Sequence, residues 1–78
     1  MKQLDYIIQA FKDLGGKASY SDLYHQYELL TGVRLSPGQK AGIRKNIEDH
    51  SSDSANFKGG EDLFYSVEGK GRGVWGLR

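Results

Sequence analysis

The cations that could do chemistry in this chain are concentrated in residues 34–45, which carry Arg34, Lys40, Arg44 and Lys45 and no acidic residue. Clustered cations neutralise phosphates, and arginine is also the side chain that most often reads guanine in the major groove of DNA. These residue types therefore favour contact with a nucleic acid over catalysis, although the whole chain has a formal net charge of only +1.

Catalytic and metal-binding alternatives have weak support in the sequence. Neither His25 nor His50 lies at a spacing from serine or a carboxylate that indicates a triad. Asp49, His50 and Asp53 could ligate a metal, but polar residues in a turn after a helix more often hydrogen-bond the backbone. The chain has no cysteine, which excludes disulfides and thiolate metal sites. We therefore expect a non-catalytic module with no metal, no cofactor and no small-molecule substrate.

A second basic segment, Gly69-Lys70-Gly71-Arg72-Gly73, lies near the end of the chain. A phosphate-binding loop would need a helix after its glycines, and only a five-residue run remains after Gly73. A hairpin turn explains the segment better, although glycine and lysine are common at any exposed turn. At the tip of a hairpin, Lys70 and Arg72 would contact the flanking DNA backbone or the minor groove.

The cations of residues 34–45 need a helix to present them, and the sequence predicts one over residues 36–50. Ser36 is a suitable N-cap, Pro37 suits the first helical position, and Gln39 completes a Ser-x-x-Gln capping box. Ile43 and Ile47 lie four residues apart and define one buried edge of this helix.

Rotation of about 100° per residue places small and basic residues away from that buried edge. The expected exposed residues are Gly38, Ala41, Gly42 and Lys45, with Lys40 and Arg44 on one flank. Such a face would let the helix approach a DNA groove closely. Base or phosphate contacts are expected from Gln39, Lys40, Arg44 and Lys45, and a phosphate contact from the amides around Ser36 and Gly38. An ordinary amphipathic helix with solvated lysines is the alternative.

Two further helices precede this one. Hydrophobic residues at helical spacing predict a helix over residues 3–14, which Gly15-Gly16 ends. Ser21 is expected to cap a second helix, which Thr31-Gly32 closes. Residues 17–20 between them are too few for more than an extended connector or a one-bridge strand.

Two runs rich in aromatic and β-branched residues, 63–67 and 74–77, predict strands on either side of the glycine-rich loop. The order helix, short strand, helix, helix, hairpin is typical of a winged helix-turn-helix domain, an α+β fold. The expected core comprises Leu4, Ile7, Ile8, Phe11, Leu14, Leu23, Tyr27, Leu30, Ile43 and Ile47, closed by Phe64, Trp75 and Leu77.

Length and composition are those of one small globular domain spanning residues 1–78, with 37% hydrophobic residues. No apolar run approaches the length of a membrane span, and the first residues lack a signal-peptide core. We expect a cytoplasmic protein that does not bind membranes.

The chain also resembles known helix-turn-helix families. The run from Leu4 to Leu23, with Gly15-Gly16-Lys17-Ala18-Ser19-Tyr20 inside it, and the closing run 71–78 resemble HARE-type helix-turn-helix domains. The runs 43–54 and 63–67 are similar to winged helices fused to bacterial restriction endonucleases. This resemblance implies double-stranded DNA binding, often as a targeting module for a nuclease in a larger restriction or regulatory protein. No nuclease motif is present in the chain.

The competing hypothesis is a winged helix that docks a protein. Residues 46–68 carry six acidic residues and one lysine, so that segment could bind a basic partner. Glu48 and Asp49 would repel phosphates unless the end of the third helix points away from DNA. Salt dependence separates the two hypotheses, because affinity for generic duplex DNA falls steeply with salt.

Overall fold

A computed structural model describes residues 2–67 and 73–78. Three helices and three strands follow one another in the predicted order: α1 is Gln3–Asp13, β1 is Lys17–Ser19, α2 is Tyr20–Thr31, α3 is Pro37–Asp49, β2 is Phe64–Ser66 and β3 is Val74–Leu77. The α+β winged helix-turn-helix fold predicted from the sequence is confirmed. The helices within these residues include none long and apolar enough to cross a membrane.

The ends of the helices follow from local sequence. Gly32 ends α2 in the left-handed conformation, with φ of 71°, and its N–H donates to the carbonyl of Glu28. The predicted N-cap of α2 is wrong by two residues, because Ser19 and not Ser21 caps it. The Ser19 hydroxyl accepts a hydrogen bond from the Asp22 N–H at 3.2 Å. Ser19 is favoured because β1 already holds it in the extended conformation that an N-cap requires.

The sheet places β3 between the two other strands, and both pairings are antiparallel. Ala18 is paired with Trp75 in the β1–β3 ladder, and Tyr65 is paired with Gly76 in the β2–β3 ladder. Residues 17–19 thus form a three-residue strand, longer than the one-bridge strand expected. This pairing fastens the segment between α1 and α2 to the C-terminal end of the chain.

The core lies between the three helices and one face of the sheet. Its buried members are Ile7, Ala10, Phe11, Ala18, Leu23, Tyr27, Leu35, Ile43, Ile47 and Phe64. Six residues expected in the core are only partly buried and pack around it: Leu4, Ile8, Leu14, Leu30, Trp75 and Leu77. Phe11 and Phe64 bring α1 and the sheet together, with ring centroids 5.3 Å apart.

Candidate nucleic-acid interface

The start of α3 is fixed by the capping box expected from its sequence. The Ser36 hydroxyl accepts a hydrogen bond from the Gln39 N–H at 3.2 Å, and the Gln39 side-chain oxygen accepts one from the Ser36 N–H at 2.8 Å. Ser36, Gly38 and Gln39 are exposed at this end of the helix. The capping bond uses the Gln39 side-chain oxygen and leaves its side-chain NH₂ available as a donor.

One flank of α3 packs against α1, and this corrects the predicted position of Gly42. A Cβ added at Gly42 would lie 3.7 Å from the side-chain nitrogen of Gln3, so Gly42 is half-buried beside α1. Asn46, one turn later, donates a hydrogen bond to the side-chain oxygen of the same Gln3. Gly42 lies only about 100° around the helix from buried Ile43, and α1 covers that boundary.

The opposite flank of α3 carries two cations that face Tyr24 on α2. The Arg44 guanidinium donates a hydrogen bond from Nη1 to the Tyr24 hydroxyl at 3.0 Å. The Lys40 ammonium lies 5.5 Å from the centroid of the Tyr24 ring, within the range of a cation–π contact. Within residues 2–67 and 73–78, neither cation forms a salt bridge with a carboxylate.

The remaining predicted site residues, and the nearby Arg34, differ in their exposure and in whether their charge is paired. Ala41 is exposed between the two flanks of α3, and Arg34 is exposed before the helix. Lys45 is exposed but lies 2.8 Å from a carboxylate oxygen of Asp49. The hydrogen bond from Lys45 holds the pKa of Asp49 below its ordinary value. Lys70 and Arg72 lie outside the described residues.

Several carboxylates of the acidic segment 46–68 are engaged within the domain. Glu48 accepts a hydrogen bond from the Asn56 side chain at 2.9 Å. Asp62 accepts from the N–H and the hydroxyl of Ser52, and these bonds, helped by Arg78, lower the pKa of Asp62. Arg78 also lies 3.5 Å from Asp53. Arg78 offsets part of the negative charge of Asp53 and Asp62. The neutral donors Asn56 and Ser52, by contrast, hold their carboxylates in place without removing charge.

An aromatic pair connects the Tyr24 contacts to the sheet. The rings of Tyr20 and Tyr24 are stacked, with centroids 5.9 Å apart and planes inclined by 11°. Burial raises the pKa of Tyr20, and the charge of Glu48 adds to this shift. Beyond Tyr20 lies a cleft of about 370 Å³ between the end of α3, residues 53–56 and Trp75. The half-buried Trp75 thus lines a cleft as well as packing against the core.

The contact between Tyr24 and the two cations is the feature that sequence reasoning missed. Tyr20 and Tyr24 lie four residues apart on α2, and Lys40 and Arg44 lie four residues apart on α3. Each spacing predicts neighbours within its own helix. Only the packing of α2 against α3 brings the two pairs together.

The fold and this surface define a winged-helix domain with a basic, aromatic-lined edge along α3. Comparisons of the chain with protein-family models, curated proteins and solved structures find no match.

Proposed function

We propose that this domain binds double-stranded DNA, with α3 in the major groove and the glycine-rich segment at residues 69–73 on the flanking backbone or the minor groove. The observation that carries the proposal is the pair Lys40 and Arg44. They lie on successive turns of α3, beside exposed Ala41, and neither forms a salt bridge with a carboxylate within the described residues. Cations left without acidic partners next to a small residue suit an approach to phosphates and base edges.

The state of the acidic segment supports DNA over a basic protein partner. Asp49 and Asp62 hydrogen-bond to residues of the domain itself, and Glu48 is held by Asn56. A basic protein docking on residues 46–68 would have to compete with these internal bonds. Phosphates approaching Lys40 and Arg44 displace no carboxylate, because these cations have no ion pair to break within the described residues.

The resemblance to modules fused to restriction endonucleases suggests that the domain works as part of a larger protein. A surface with about four to six phosphate contacts binds duplex DNA weakly at physiological salt. Weak binding suits a module tethered to another domain, such as a nuclease or a regulatory domain in a larger protein. In that setting the winged helix delivers the partner domain to DNA and takes no part in catalysis.

The proposal is tested by measuring affinity for a generic duplex across salt concentrations. The double variant Lys40→Gln, Arg44→Gln should weaken binding at low salt by more than about tenfold. It should also flatten the dependence of log affinity on log salt by about 0.9 to 1.8, since each phosphate contact contributes about 0.9.

The matched control is Lys12→Gln, Lys17→Gln, which removes the same charge from exposed positions on α1 and β1. This control should retain most of the wild-type affinity for the duplex. Equal losses in the two double variants would show that net charge alone drives binding, and would contradict a site on α3.

A further inference from the structure

The geometry points to Tyr24 as a positioning residue that holds Arg44 in one orientation, ready to read guanine in the major groove. This inference rests on the DNA-binding function proposed above and adds a determinant of sequence preference to it. Because Tyr24 belongs to α2, the guanine preference of α3 would depend on a residue outside α3.

The hydrogen bond to Tyr24 leaves the Arg44 guanidinium able to bind a base. Arginine has five N–H donors in a rigid fork, and the 3.0 Å bond from Nη1 to the Tyr24 hydroxyl uses one of them. Bidentate contact with O6 and N7 of guanine needs only two more. Arg44 is exposed, and its side chain makes no second hydrogen bond within the described residues.

Tyr24 can serve as a fixed support because its own ring is held in place. It stacks on Tyr20 at a centroid distance of 5.9 Å. Tyr20 in turn is held beside the sheet, because its N–H donates to the Gly73 carbonyl at 3.0 Å, next to β3, and its side chain packs against the core. An arginine held on such a support has already lost part of the side-chain freedom that binding would otherwise remove, and this raises affinity for the contact it is aimed at.

The two cations use different parts of the same tyrosine. Arg44 contacts the hydroxyl, whereas Lys40 lies 5.5 Å from the centroid of the ring. Lysine is a compact point charge suited to a phosphate, and arginine has the planar fork that matches a base edge. Removing only the hydroxyl of Tyr24 therefore releases Arg44, keeps the ring beside Lys40 and leaves the charge of the domain unchanged.

The test compares the wild type with Tyr24→Phe on a duplex enriched by the wild type from a pool of random short duplexes. Copies of that duplex in which each G·C pair in turn is replaced by A·T measure the preference for guanine. We expect Tyr24→Phe to reduce this preference by about 3- to 10-fold at one position, the size of effect that the loss of one ordinary hydrogen bond at an exposed site predicts. The salt slope should stay the same because no charge is removed.

Two further variants separate positioning from a general structural effect. Tyr6→Phe removes the hydroxyl of a tyrosine on α1 and should leave the guanine preference intact. Arg44→Lys keeps the charge but loses the fork, so adding Tyr24→Phe to Arg44→Lys should cause no additional loss of preference. Such non-additivity is the signature of two residues that act as one unit.

The outcomes distinguish this inference from the function on which it rests. A wild type that binds no duplex contradicts the proposed function, and the inference falls with it. If the wild type binds but shows no guanine preference, or if Tyr24→Phe keeps that preference, DNA binding stands and the role of Tyr24 is overturned. A preference lost in Tyr24→Phe, kept in Tyr6→Phe and insensitive to Tyr24 in the Arg44→Lys background supports the inference.

Discussion

Single residues of α3 have three different environments, and these decide which of them can be changed without affecting the fold. Ile43 and Ile47 are fully buried, whereas Gly42 is covered by Gln3 of α1. Ala41 is exposed and lies between the flank that faces α1 and the flank that carries Arg44. Ala41 is therefore the position at which bulk can be added with the least effect on packing.

We expect Ala41→Leu to leave the melting temperature within a few degrees of the wild type and to weaken duplex binding by more than about tenfold. The substitution is mild for the helix, because leucine has nearly the helix propensity of alanine and an exposed change costs about 0.5 kcal/mol or less. Bulk on the face that approaches a groove would keep the backbone away from the bases. Thermal melting and duplex titration of the same sample measure both effects.

Ala55→Leu is the matched control, since Ala55 is the other exposed alanine and lies beyond the basic face. It should retain duplex affinity. A well-folded Ala41→Leu variant with wild-type affinity would mean that this face of α3 does not approach DNA. Gly42→Leu would not serve the same purpose, because its side chain would meet Gln3.

At the scale of the elements, the central strand β3 connects the N-terminal half of the chain to the hairpin. Gly76 in this strand is paired with Tyr65, and a Cβ on Gly76 would overlap the Tyr65 ring. The same ring lies 5.8 Å from the Arg78 guanidinium. The absence of a side chain at Gly76 thus lets the Tyr65 ring of edge strand β2 lie across β3 and contact Arg78.

Gly76→Ala should destabilise the domain by about 1–3 kcal/mol, the usual cost of forcing extra bulk into a packed site. In a Tyr65→Ser background the same change should cost much less, since the ring that opposes the methyl group is gone. Chemical denaturation of the four proteins of this cycle gives the coupling between the two residues. An equal cost in both backgrounds would show that the methyl group conflicts with something other than Tyr65.

Gly60→Ala is the control for a glycine with space around it, because a Cβ there meets no atom within 4 Å and its φ is not positive. It should change the free energy of unfolding by about 0.5 kcal/mol or less.

Features that depend on local chemistry could be predicted from the sequence. The capping box of α3 involves residues three apart, and the predictions of this box and of the end of α2 at Thr31-Gly32 are both confirmed. The predicted N-cap of α2 is wrong, because Ser19 and Ser21 are both acceptable caps and a distant strand, β3, decides between them. Tyr24 could not be assigned a role either, since its partners lie on another helix.

At the scale of the whole molecule, two basic segments flank an acidic one in the sequence, but the fold pairs some of these charges and leaves others unpaired within the described residues. Arg78, which follows β3, is bonded to Asp62 and lies near Asp53, so it neutralises part of the acidic segment. Lys40 and Arg44 remain without such partners among the described residues. The positive surface that matters for the proposed function is therefore narrower than the charge count indicates, and it lies along α3.

The most direct measurement of DNA binding through α3 is an NMR titration of the wild-type domain with a short generic duplex at low salt. We expect amide shifts concentrated in residues 36–45 and 69–73, fading as salt is added because the contacts are mainly to phosphates. Shifts concentrated in residues 46–67, or no shifts at all at low salt, would contradict the proposed role of α3.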